Sequence, residues 1–206
     1  YDTPTVNVTL RNLTCGGSGS IAIGSEMSGG IENVHGYDLR FPDDAKRPIQ
    51  IKVGRTRGGY VRNITFHDVT VSGRVKQAAI HVDSVLYSNK ASQNPSCPSN
   101  WTPPALSVVD DISIFRMNGT LAIMESNETF RFLAFDESPF TNVRLHDIYF
   151  ATGNWHCENV QGSVQNGTVT PWPPCEGFEV IPPTQKQIMA VPPSAGVVAA
   201  AAIIAA

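Results

Sequence analysis

The chain has 206 residues, opens on Tyr1 and carries 16% charged residues with a net charge of −3. An apolar share of 41% is enough for a sizeable core and excludes disorder as the main state, while 17 Gly and 15 Pro exclude a coiled coil. The slight acidity gives no global reason to expect nucleic acid, and no run of about 20 apolar residues offers a membrane span.

From Tyr1 to Val180 helical periodicity is scarce. Short runs of period-two alternation, bounded by Gly, Asn, Asp and Ser, predict strands. A seven-residue phrase recurs: NVTLRNL from Asn7, NVHGYDL from Asn33, NITFHDV from Asn63, DISIFRM from Asp111 and NVRLHDI from Asn142, with starts 26, 30, 48 and 31 residues apart. A shorter strand is expected after most copies, at Ile21–Ile23, Ile49–Ile51, Ala79–Val82 and Phe132–Phe135. A repeat of about 20 to 50 residues points to a solenoid, a propeller or an array. Two or three strands and no helix per repeat predict an all-β parallel β-helix, with alternate residues entering one core. Asn and Asp suit its corners, because they tolerate left-handed backbone. A β-sandwich is the rival fold, and it leaves the phrase unexplained. The 48-residue gap holds the Asn- and Pro-rich stretch Asn94–Pro104, read as a loop insertion in one rung.

Residues 1–180 are expected to form the solenoid, and residues 181–206 a Pro-spaced linker with an Ala-rich apolar tail. The last twelve residues, Ala195–Ala206, are too few to cross a bilayer, and fit either a frayed Ala-rich helix or low-complexity tail, or the hydrophobic end of a lipid-anchor signal. Cys15, Cys97, Cys157 and Cys175 match no common zinc spacing, and read as buried thiols or as two disulfides. Cys157 and Cys175 flank a short Gly/Asn/Pro-rich segment and could close a small loop, although spacing does not fix connectivity. Seven sequons of the Thr form, at Asn7, Asn12, Asn63, Asn100, Asn118, Asn127 and Asn166, favour a secretory route.

Charge is uneven. Between Ala45 and His67 lie Lys46, Arg47, Lys52, Arg55, Arg57 and Arg62, with no Asp or Glu. Most charge runs are solvated faces. Here Gly54, Gly58 and Gly59 interleave the cations and Lys52 ends an expected strand, so a site for an acidic polysaccharide is the functional reading. His35, His67 and His146 fall at corner or outward positions, His81 on a short strand and His156 beside Cys157. All five read as structural or solvent-facing, and no metal or other cofactor is expected. Trp101, Trp155 and Trp172 suit either sugar stacking or packing on the side of the solenoid.

CGGSGSIAIGSEMSGGI (Cys15–Ile31) and IQIKVGRTRGGYVRNITFHDV (Ile49–Val69) resemble the plant-type branch of glycoside hydrolase family 28, the polygalacturonases. PALSVVDDI from Pro104, SPFTNVRLHDI from Ser138, WHCENVQG and the PPC ending at Cys175 look like the same branch. The resemblance implies a right-handed parallel β-helix and inverting hydrolysis of pectic glycosides in the cell wall. It places this chain at the C-terminal half of such an enzyme, with the catalytic aspartates upstream and none of them here. Asp43-Asp44 and Asp110-Asp111 lack the family's preceding Gly and read as turn residues. The family's Gly-His-Gly is not intact, its His falling at Ser18 or Gly19. Its Arg-Ile-Lys reads Gln50-Ile51-Lys52, which keeps the carboxylate-binding Lys and replaces the Arg by an uncharged donor. The implied substrate-binding set is Lys52 and Gln50, with Arg47, Arg55 and Arg57 as a rim. The expected partner is pectin or galacturonan, the expected state a monomer. The alternatives are a non-catalytic pectin-binding β-helix and a calcium-using lyase-like solenoid, for which no acidic cluster is apparent in the sequence.

Overall fold

The computed structural model describes residues 3–17, 19–25, 28–54, 58–85, 106–119, 127–183, 197–199 and 203–204. Each copy of the phrase lies in a long strand: β1 (Thr5–Cys15), β3 (Ile31–Phe41), β5 (Tyr60–Val71), β7 (Val108–Gly119) and β9 (Phe140–Phe150). With β11 (Val160–Gln165), β12 (Val169–Thr170), β13 (Phe178–Ile181) and β14 (Val197–Ala199) they form one sheet. Its order is β13-β11-β9-β7-β5-β3-β1-β14, with β12 also against β9. Short strands make the second sheet: β2 (Ile21–Ile23), β4 (Ile49–Lys52), β6 (Ile80–Asp83), β8 (Glu128–Leu133), β10 (Asn154–Glu158) and β15 (Ile203–Ile204), in the order β10-β8-β6-β4-β2-β15. Every strand pair described in these sheets is parallel. This is a parallel β-helix, each rung stacked on the one before. The short strands expected at Ala79–Val82 and Phe132–Phe135 lie at Ile80–Asp83 and Glu128–Leu133.

The phrase has a conformational cause. Its first and sixth residues are left-handed in every copy: Asn7 and Asn12, Asn33 and Asp38, Asn63 and Asp68, Asp111 and Arg116, Asn142 and Asp147. Each such residue bends the strand and turns out of the sheet. The second, fourth and seventh residues can then all point inward, as Ile64, Phe66 and Val69 do in β5. Asn and Asp take this backbone at low cost. Arg116, φ 49°, is the uncommon case, and its guanidinium bonds Asp68 of the previous rung at 2.6 Å. The outward amides form a ladder, Asn33 donating to Asn7 at 3.0 Å and Asn63 to Asn33 at 2.7 Å.

Inward residues stack into columns, for example Leu39, Val69, Met117 and Ile148, all at most 1% exposed. Two columns mix Gly with Phe. A methyl on Gly36 would enter the ring of Phe66, and one on Gly119 the ring of Phe150. Cys157 and Cys175 are disulfide-bonded, their Cα atoms 6.2 Å apart, which ties β10 to the segment before β13. Cys15 is buried, and burial raises its thiol pKa. Trp155 packs on Phe130 and Phe178 and donates to the Pro171 carbonyl at 2.8 Å, so it belongs to the side of the solenoid. At the other end, β14 pairs with β1 and β15 with β2, so the expected low-complexity tail contributes strand backbone to both sheets. Cys97, Asn100 and Trp101 lie outside the described residues.

Candidate functional site

The short-stranded sheet carries a row of polar and charged side chains on its outer face. In β4, Ile49 and Ile51 enter the core, so Gln50 and Lys52 point the other way. In β6, Ile80 and Val82 enter the core, which turns His81 and Asp83 outward. In β8 and β10 the same alternation turns out Arg131, His156 and Glu158. Register then builds two outer columns. One runs Ala22, Gln50, His81, Arg131, His156, and the next runs Lys52, Asp83, Leu133, Glu158.

Asp83 is 0% exposed. It accepts from the Val85 backbone at 2.8 Å and from Arg131 Nε at 2.9 Å. A carboxylate so buried is stable only when charge-paired and hydrogen-bonded, and it has both. Arg131 Nη1 also reaches Glu128, at 3.2 Å. His156 Nδ1 is 2.8 Å from Glu128 and 3.0 Å from Arg131 Nη1, and a single tautomer serves only one of these contacts. The shorter one, to the carboxylate, puts the proton on Nδ1 and leaves Arg131 donating to Glu128.

His81 is 2% exposed, and neither ring nitrogen has a hydrogen-bond partner among the described residues. Nε2 stands 3.5 Å from Asp83 Oδ2, within ion-pair distance but without a hydrogen bond. Burial, seconded by the charge of Arg47, pushes the imidazole pKa down to about 3 against the pull of Asp83. The ring is therefore neutral at ordinary pH, with one donor and one acceptor unanswered, and the 3.5 Å approach is not an ion pair there.

The sequence-derived site divides as follows. Lys52 and Gln50 share the outer face of β4, and Arg47 lies just before that strand, near enough for its charge to act on His81. Arg55 and Arg57 lie outside the described residues. Arg62 does not join the site: it lies on β5 in the other sheet, bonds Glu32 at 2.5 Å and stacks over Tyr60. The stretch that lacks acids in sequence meets acids in space, since Asp83 stands beside Lys52 in register and Glu128 lies one rung further on. His81, Asp83, Glu128, Arg131 and His156 were missing from the expected site. The outward places of Ile80-His81-Val82-Asp83 carried a signal for two of them. The aspartates of the two Asp-Asp pairs are engaged elsewhere: Asp43 accepts from Gly17, Asp44 from Arg74, Asp110 from Thr141 and Asn142, and Asp111 pairs with Arg144.

A surface groove of about 530 Å³ lies on the long-stranded sheet, between Asp38, Arg40, Asp68, Arg116, Asp147 and Tyr149. Its charges answer one another, Arg40 to Asp38 and Arg116 to Asp68, and Arg116 holds Asp68 at a pKa of about 2. A groove whose ions are already paired is a weaker candidate than a face with a buried, unanswered imidazole.

Residues 2–169 match the family model for glycosyl hydrolases family 28. A probable polygalacturonase from Vitis vinifera is 28% identical over 179 residues, which cover 83% of this chain and 34% of the relative. The crystal structure of a hyperthermoactive exopolygalacturonase from Thermotoga maritima superposes with a TM-score of 0.54 at 23% identity, covering 77% of this chain and 34% of that one. That likeness shows the right-handed parallel β-helix fold. The chain thus spans about a third of the length of the relatives it matches.

Proposed function

We propose that this chain, which belongs to glycosyl hydrolases family 28, forms the C-terminal rungs of a polygalacturonase-like enzyme acting on pectin. The observation that carries the reading is Lys52, placed on the outer face of β4 with Gln50 beside it and Arg47 just upstream. An ammonium on a strand is a fixed point charge for a uronate carboxylate. Arg47 adds to the positive rim, and Arg55 and Arg57 are its further members in this reading. Gln50 gives a hydrogen bond without charge.

Inverting hydrolysis needs a carboxylic acid to protonate the leaving oxygen and carboxylate to activate a water on the opposite face. In this reading those groups belong to rungs N-terminal to β1, which would take the edges of β1 and β2 that β14 and β15 pair with here, and the present rungs bind and orient the sugar. Seven sequons and the Cys157–Cys175 bond support a secreted protein working in the cell wall, and we take it as a monomer. The apolar tail remains a candidate anchor signal.

The test is Lys52→Ala in the full-length protein. The KM for polygalacturonate should rise about tenfold, the loss of one charge-assisted contact; an unchanged KM overturns the role of Lys52. The 206-residue chain alone should release no reducing ends from pectate. The second reading, a pectin-binding solenoid without hydrolysis, is favoured by one observation, the uncharged Gln50 in place of the family's Arg. Acidic pairs at strand ends upstream of Tyr1 would decide for the enzyme, and their replacement for the binder.

A further inference from the structure

We propose that Asn118 carries an N-linked glycan whose first sugar docks on the ring of Tyr149, in the groove of the long-stranded sheet. The inference rests on the secretory route of the proposed function and is independent of its substrate.

Three observations carry it. First, Asn118-Gly119-Thr120 is a sequon, and strand alternation sends Met117 and Gly119 into the solenoid and Asn118 out. Asn118 is exposed, and nothing bonds its side-chain amide among the described residues. Asn63 shows the contrast, because its Nδ2 donates to Asn33 at 2.7 Å inside the amide ladder. Second, the register partner of Asn118 in the next rung is Tyr149. Paired strands lie about 4.8 Å apart, so the ring stands beside the amide. Tyr149 is 56% exposed and has no ring contact or hydrogen bond among the described residues. Its outer column continues with Thr170 on one side and with Asn118 and Thr70 on the other, all shorter than the ring. A bare phenol face is apolar and electron-rich, and suits the C–H face of a sugar ring. Third, one groove of about 530 Å³ is lined by both residues, a size usual for small-ligand clefts. Three of its residues are acidic, Asp38, Asp68 and Asp147, against two cations, and those are paired, Arg40 with Asp38 and Arg116 with Asp68. A uronate entering there meets net negative charge, whereas an N-acetylated neutral sugar brings hydroxyls and an amide. The chain's own glycan is thus a better occupant than an acidic polysaccharide.

The donor is a lipid diphosphate-linked oligosaccharide, used by the transferase of the secretory route. The Asn118 Nδ2 gives up one proton and bonds C1 of the first N-acetylglucosamine. The bond from C1 to the diphosphate oxygen breaks, the lipid diphosphate leaves with that electron pair, and the proton passes to solvent. The sugar is then tethered beside Tyr149, so a contact too weak to hold a free sugar is enough to dock it.

The experiment uses the full-length protein, secreted from a eukaryotic host. Enzymatic release of glycans in heavy-oxygen water marks each occupied asparagine as a labelled aspartate, which peptide mass mapping reads. Asn118 should be occupied in most molecules. The comparison site is Asn166, exposed in the turn before β12, with open space around Gly167. On the folded protein, release from Asn118 should run slower than release from Asn166. Tyr149→Ala should quicken release at Asn118 about fivefold, the population shift of one ring contact, and leave Asn166 as it was. Tyr149→Phe, which keeps the ring, should release as slowly as wild type. An empty Asn118 beside an occupied Asn166 overturns the inference and leaves the secretory route standing. Release at Asn118 as quick as at Asn166, or unmoved by Tyr149→Ala, also overturns it, because the glycan then projects into solvent. So does a Tyr149→Phe variant as quick as the alanine one, since the ring is then not the dock. If no sequon is occupied, the inference and the secretory route fall together.

Discussion

Gly119 and Phe150 are register partners in one inward column, and the glycine is bare so that the phenylalanine ring can lie across it. Gly36 and Phe66 repeat the arrangement two rungs earlier in the chain. Gly119→Ala should therefore destabilise the solenoid by about 1–3 kcal/mol, the usual cost of overpacking. Denaturant midpoints measure it. Combining Gly119→Ala with Phe150→Leu should cost less than the sum of the two single changes, and strict additivity would show that the methyl and the ring do not compete.

The amide ladder makes a two-part prediction at Asn33, which donates to Asn7 and accepts from Asn63. Asn33→Ala loses both bonds and forces alanine to a φ of 57°. Asn33→Gly loses the bonds but keeps the backbone at ease. Alanine should cost about 2 kcal/mol and glycine about 1, the gap being the left-handed penalty. Equal losses would mean that the corner is not strained.

Acid should weaken the fold through His81 before it does so through Asp68. His81 falls from the usual 6.5 to about 3 in the folded chain, so the unfolded chain binds the extra proton between those values. This part of the stability is full above pH 6.5 and is lost as pH falls toward 3. Asp68 lies lower, held at about 2 chiefly by its bond to Arg116, so its share is present above 3.8 and lost toward 2. Unfolding midpoints between pH 7 and 4 should decline in wild type and decline less steeply in His81→Phe, where His67, also lowered by burial, keeps part of the slope. A wild type with no decline contradicts the neutral buried ring.

Reducing the Cys157–Cys175 bond opens a loop of 18 residues and should cost about 3 kcal/mol. The effect should be local to the last rungs. Amide exchange is expected to quicken in β10 to β13 and to stay slow in β5 and β7. Uniform quickening would show that the solenoid unfolds as one unit.

Gln50→Arg should restore a guanidinium beside Lys52 and lower the KM for de-esterified galacturonan several-fold, with no gain on a neutral glucan. Equal gain on both polymers would show that the position does not read charge.

Much of the fold was legible because its determinants are local. The phrase fixes two left-handed corners and three inward side chains within seven residues, and Asn63 to Val69 can be read without knowing any other rung. Of the candidate face, the sequence showed only what is local too, the alternation that turns Gln50 and Lys52 to one side of β4. Arg131 meets Asp83 across 48 residues, a pairing that only register creates. Arg62 failed the other way: close in sequence to the cationic cluster, it lies in the strand that begins at Tyr60 and faces Glu32. Neighbours in a solenoid are set by rung and column, and sequence distance is a poor guide to both.

The β5–β7 register has a practical outcome. Their phrases start 48 residues apart, yet the strands pair without a slip from Tyr60–Val108 to Val71–Gly119. Rung geometry is thus indifferent to the length of chain spent between rungs, and lengthening it costs entropy that grows only logarithmically, about 0.6 kcal/mol per doubling. A foreign sequence, such as a binding peptide or a reporter tag, inserted between Asp83 and Val108 should accordingly leave the β5–β7 register as it is.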